Sequence, residues 1–61
     1  MEEWAIYYED KETERVYAMG SSLQEIRSLL AKDIGEDKIG NDPKATYNKG
    51  AWSVVFRRLD V

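Results

Sequence analysis

A single apolar stripe organises this chain. Leu23, Ile26, Leu30 and Ile34 recur at spacings of three and four, with Leu29 beside them. That spacing puts them on one face of a helix of about 13 residues. Gln24, Glu25, Arg27, Ser28, Lys32 and Asp33 fall on the opposite, wet face. Ser22-Leu23-Gln24-Glu25 has the Ser-x-x-Glu form of a capping box, in which the serine hydroxyl accepts from a free backbone N–H and the glutamate reaches back to the cap. Gly35 stands where a helix ends in a left-handed residue. One amphipathic helix cannot bury its stripe alone, so the flanking segments must supply the surface that covers it.

Those flanks alternate with a period of two. Residues 3–9 are aromatic and β-branched, with Trp4, Ile6 and Tyr8 on one face and Ala5 and Tyr7 on the other. The polar run 10–14 is a turn, and residues 15–19 make a second strand. The hairpin register that opposes unlike charges sets Ile6 against Ala18, Tyr7 against Tyr17, Tyr8 against Val16 and Glu9 against Arg15. A one-residue slip would set Glu9 against Glu14, and like charges directly opposite are unfavourable.

Beyond the helix, residues 36–43 form a connector with Ile39 as its one apolar anchor. Lys44–Tyr47 reads as a short, weak strand, and Asn48-Lys49-Gly50 as a hairpin loop with Gly50 needing positive φ. Ala51–Leu59 is the strongest strand, with Trp52, Val54 and Phe56 on one face and Val55 and Leu59 on the other. Apolar residues on both faces mark the two terminal strands as central. The expectation is a single α+β domain over residues 1–61, ββαββ, with one helix on a four-stranded mixed sheet of order 2-1-4-3. In it the first and fourth strands run parallel in the middle. Trp4, Trp52 and Phe56 would lie under the helix, and Tyr7, Tyr17, Val55 and Arg57 on the helix-free face.

Composition then narrows the function. A chain of 61 residues is near the lower limit for folding on its own core. It has no cysteine and no histidine, which removes thiol nucleophiles, zinc-thiolate sites and the commonest general base. Ser21, Ser22, Ser28 and Ser53 have no histidine to activate them, and no Gly-rich phosphate loop is present. Asp33, Glu36, Asp37 and Asp42 cluster in sequence without the spacing of a calcium loop. No catalytic residue, metal ligand or cofactor is expected. The longest apolar run, Trp4–Tyr8, is far short of the roughly 20 residues of a membrane span. The acidic start Met1-Glu2-Glu3 is unlike a signal peptide, so a cytoplasmic, unprocessed protein is expected (host cytoplasm if viral).

Charge is distributed unevenly. Residues 1–20 carry −4, residues 21–43 carry −2 and residues 44–61 carry +3, for a net −3. An acidic pole at Glu9, Asp10, Glu12 and Glu14, with Tyr7 and Tyr17 on the adjoining open face, is the candidate contact with a protein partner that has a basic surface. The alternative is single-strand nucleic-acid contact through Arg15, Arg57 and Arg58 together with Tyr17. A third reading is an assembly subunit pairing through the weak strand at 44–47. Either a monomer or a weak homodimer fits these features.

The ββαββ order in about sixty residues resembles the immunoglobulin-binding domains of bacterial surface proteins, of the protein L and protein G type. The short acidic reading frame from Met1, one helix on a small sheet and no catalytic side-chain set also resemble small phage-encoded inhibitors of bacterial defence, anti-CRISPR proteins among them. That second resemblance implies a non-enzymatic inhibitor acting by stoichiometric occlusion of a host complex.

Overall fold

The structure, a computed structural model, describes residues 1–61. Strand β1 (Trp4–Glu9) pairs with β2 (Glu14–Gly20), followed by helix α1 (Leu23–Ile34), one 3-10 turn at Glu36–Lys38, β3 (Thr46–Lys49) and β4 (Trp52–Arg58). The sheet order is β2-β1-β4-β3. The expected order is therefore found, but the sheet is not mixed: β1 and β4 pair antiparallel, as do both hairpins.

The connector explains the reversal. After Gly35 the chain doubles back along α1, where Arg27 Nε donates to the Gly40 carbonyl at 2.9 Å. Gly40 N–H donates to the Tyr47 hydroxyl at 3.2 Å, and Ile39 packs against the core. Having returned toward the start of the helix, the chain enters β3 heading the opposite way from a direct exit. Both hairpin turns consequently lie at the end of the sheet where α1 finishes. Lys49, the last residue of β3, there meets Asp33 in the last turn of α1.

Local signals hold with adjustments. Ser22 Oγ accepts from Glu25 N–H at 3.1 Å, whereas the Glu25 carboxylate accepts from Ser21 Oγ at 3.2 Å instead of from the backbone N–H that a capping box would give it. Gly35 takes φ 107° while its N–H donates to the Ala31 carbonyl. β3 starts two residues later than expected and takes in Lys49, which stands opposite Trp52. The loop is thereby cut to Gly50-Ala51, with Gly50 at φ 59°, as a two-residue turn with glycine first requires.

The core is Ile6, Tyr8, Ile26, Leu30, Val54 and Phe56. Trp4 and Trp52 pack against it while staying partly exposed, because one 12-residue helix is too narrow to cover them. With so few side chains out of water, each carries much of the fold. Leu30 is fully buried, so Leu30→Asp leaves an unpaired charge in the core and should unfold the domain, seen as loss of the far-ultraviolet circular dichroism signal. Lys32→Asp, on the exposed side of α1, reverses the basic charge of its last turn and should cost about 1 kcal/mol while leaving the domain folded.

Candidate interaction surface

The helix-free face of the sheet is built by one irregularity. From Trp4 to Ile6 the hairpin follows the expected register, with Ile6 opposite Ala18. Between Ile6 and Tyr7 the register shifts, so Tyr7 faces Val16, Tyr8 faces Arg15 and Glu9 faces Glu14. Tyr17 is the residue left over, a β-bulge. The register inferred from charge is thus right for the upper half of the hairpin and one residue off in the lower half. The opposition of Glu9 and Glu14, unfavourable for two strands alone, is resolved by a third. Arg57 Nη2 on β4 lies 3.0 Å from Glu9 Oε1 and 2.8 Å from Glu14 Oε2.

Arg57 reaches that position along the face. It starts opposite Ala5, passes its guanidinium over the Tyr7 ring at 4.6 Å from the centroid and ends between the two carboxylates. Ala5, flanked by Met19 on β2 and Arg57 on β4, is left with no exposure at all although no helix covers this side. Around the arginine stand Tyr7 and Val55, half-buried, and Val16 and Met19, with exposures of 52% and 54%. Leu59, just past β4, is 39% exposed.

Tyr17 is not on this face, contrary to expectation. The bulge turns it to the helix side, where its ring stacks on Tyr8 at 4.7 Å and 13°. Tyr8 is 9% exposed, and its hydroxyl donates to Asp33 Oδ2 at 2.5 Å. Lys49 Nζ pairs with the same oxygen and lies near both tyrosine rings. This network ties the end of α1 to both hairpins. Burial, reinforced by the hydrogen bond to Asp33, pushes the Tyr8 phenol well above the ordinary tyrosine range. The hydrogen bonds from Lys49 and then Tyr8 hold the Asp33 carboxyl below its usual value.

The remaining predicted residues are separated by role. Asp10 is a turn-former: its Oδ1 accepts from Glu12 N–H, Thr13 N–H and the Thr13 hydroxyl at 2.7–3.0 Å. The two backbone hydrogen bonds lower its pKa. Glu12 is exposed at the tip and makes no ion pair. Arg15 is exposed opposite Tyr8. Arg58 is paired with Asp60 at 2.9 Å and lies near the Trp4 ring, on the helix side, away from Arg57. The arginines proposed for nucleic-acid contact are therefore divided between the two faces, Arg57 on the open one and Arg15 and Arg58 on the helix side. The two hairpins lie on opposite sides of the sheet as expected, but three of the four cations in residues 44–61 are held in internal ion pairs.

Val16 escaped the sequence reading because its place on the open face depends on the bulge, whereas Met19 stands opposite Ala5 in the expected register as well. No group of three carboxylates lies close enough to hold a metal ion, and no helix is long and apolar enough to cross a membrane.

Two predictions follow from these ion pairs and hydrogen bonds. Arg57→Ala leaves Glu9 and Glu14 opposed and should cost about 1 kcal/mol, a fall of about 4–8 °C in thermal midpoint for a chain of this size. The loss should grow at low salt, and Glu14→Gln added to Arg57→Ala should recover part of it. Tyr8→Phe should cost about 2 kcal/mol at pH 7 through its hydrogen bond to a charged group. The raised Tyr8 pKa contributes stability that is complete below about pH 10, where the unfolded phenol titrates, and is lost as pH rises toward the folded value. Urea denaturation at pH 7 and pH 11 should therefore show a smaller alkaline loss for Tyr8→Phe than for the unsubstituted protein.

Comparisons with protein-family models, curated proteins and solved structures give no match, so the residues above carry the functional reading themselves.

Proposed function

We propose that this chain is a non-enzymatic binding protein that covers a basic surface of a protein partner, one copy for each site. Its contact surface is the helix-free face together with the acidic β1–β2 turn. The observation that carries this reading is the exposure of Val16 and Met19 beside a face whose one cation, Arg57, is held by two carboxylates. Exposed apolar side chains rimmed by charge are the composition of a docking surface. Acids at the rim steer a cationic partner and tune its on-rate.

The carboxylates that could have formed a catalytic pair support the same reading. Glu9 and Glu14 are held on Arg57, Asp33 on Lys49 and Tyr8, and Asp60 on Arg58. The hollows on the surface are shallow and open, whereas a catalytic site needs a cleft that excludes water. In its narrowest form the proposal is a phage or mobile-element inhibitor working in the cytoplasm, which blocks a host defence complex by occlusion.

Glu12 is the residue on which to test it, because it carries charge without holding the fold. A tagged protein should retain a stoichiometric protein partner from a lysate of its source cell, or of that cell's host, after nuclease treatment. Glu12→Lys should weaken that partner several-fold and flatten the salt dependence of binding with the thermal midpoint unchanged. Recovery of nucleic acid alone, or of proteins lost on nuclease treatment, would contradict the proposal.

A further inference from the structure

We infer that the β1–β2 hairpin has two registers within reach and that Arg57 selects between them. The second register is the one the hairpin's own charges favour, with Tyr7 opposite Tyr17, Tyr8 opposite Val16 and Glu9 opposite Arg15. It has no bulge, and it keeps the pairings of Trp4, Ala5 and Ile6 as they stand.

Little has to move. The shift is confined to Tyr7–Glu9 on β1 and Glu14–Val16 on β2, with Tyr17 as the residue left over. β1 can stay in place, because its pairing with β4 runs unbroken from Trp4 to Glu9. β2 is an edge strand, and Glu14, Arg15, Val16 and Tyr17 are all exposed, so no neighbouring strand bars their travel. The turn holds itself together: Asp10 N–H donates to the Thr13 carbonyl, and the Asp10 carboxylate accepts from Glu12 and Thr13. None of these bonds involves Glu14, the residue that enters the loop when the bulge is withdrawn.

A one-residue slide sends each side chain it carries to the other face. Val16 and Tyr17 thereby exchange places: Tyr17 joins Tyr7 on the open face, and Val16 moves to the helix side opposite Tyr8. Arg15 crosses to the open face and meets Glu9. The slide gives up the Tyr8–Tyr17 stack and the Arg57–Glu14 ion pair. It gains a Glu9–Arg15 pair, for a cation that has no ion pair in the bulged register, and it restores the ladder that a bulge interrupts. The ion pairs exchanged are exposed ones of small and similar worth, so one cation can set the balance. Arg57 is that cation: its two contacts in the bulged register, Glu9 at 3.0 Å and Glu14 at 2.8 Å, fall to one when Glu14 leaves for the loop. The register thus decides whether the open face presents Val16 or Tyr17 beside Tyr7.

The test uses the isotope-labelled full chain without any partner, so its outcome does not bear on the binding function. In the unsubstituted protein the bulged register dominates, and relaxation dispersion should show exchange at the amides of Tyr7–Glu9 and Glu14–Tyr17. Trp4–Ile6 and α1 should show none. Arg57→Ala should raise the minor share about fivefold and bring out close backbone contacts of Tyr7 with Tyr17 and of Glu9 with Arg15. Arg15→Glu added to Arg57→Ala should suppress those contacts, because it sets like charges opposite each other in the second register. A hairpin merely loosened by the loss of Arg57 would not respond in this way, since Arg15 has no ion pair to lose. Flat relaxation across the hairpin of the unsubstituted protein would overturn the inference, as would exchange that extends through α1. So would an Arg57→Ala protein with only the Tyr7–Val16 and Glu9–Glu14 contacts, or a second set of contacts that survives Arg15→Glu.

Discussion

Arg57, held between Glu9 and Glu14, is the interaction on which the arrangement of the sheet surface depends. Two like charges facing each other across a hairpin would drive the strands to another register. A cation from the neighbouring central strand makes the pairing tolerable. The extra residue this register requires is Tyr17, whose bulge sends an aromatic ring to the helix side and leaves Val16 and Glu14 on the open side. One residue of shift therefore decides that Val16 stands on the open side and that Tyr17 stacks on Tyr8 beside the Tyr8–Asp33–Lys49 network.

The second constraint is the path of the connector. Held by Arg27, Tyr47 and Ile39, it returns the chain along α1 before β3 begins. That path makes the central strands antiparallel and gathers both hairpin turns at one end. Lys49 thereby comes within reach of Asp33, a charge-assisted link between helix and sheet. A core with only four large side chains fully out of water, Ile6, Ile26, Leu30 and Val54, gains from such links, since a domain of this size has little apolar surface to spare. The price is that most of the cations near the sheet are already engaged, so the surface offered to a partner is acidic and apolar.

How much of this was legible depended on the range of the interaction. The helix, the Ser22 hydroxyl at its cap and the positive φ of Gly35 and Gly50 are local signals, legible from short windows of sequence. Strand order was also legible, because only β1 and β4 are apolar on both faces. The direction of β4 was not, since it follows from where Gly40 docks on Arg27, a contact across 13 residues. Nor was the bulge, because the cation that permits it lies 48 residues from Glu9. Of the proposed contact residues, Tyr7, Glu9, Glu12 and Glu14 stand on or beside the open face. Asp10 shapes the turn. Tyr17 packs on the helix side while remaining 47% exposed, and Val16 and Met19 stand exposed on the open side.

The most direct test is the pattern of proton–proton contacts in a nuclear Overhauser spectrum of the isotope-labelled protein. The account predicts close backbone contacts of Tyr7 with Val16 on one side and Val55 on the other, of Glu9 with Glu14, and between the rings of Tyr8 and Tyr17. Contacts placing Glu9 beside Arg15 and Tyr7 beside Tyr17, with β1 and β4 parallel, would contradict it and remove the open face from which the function is argued.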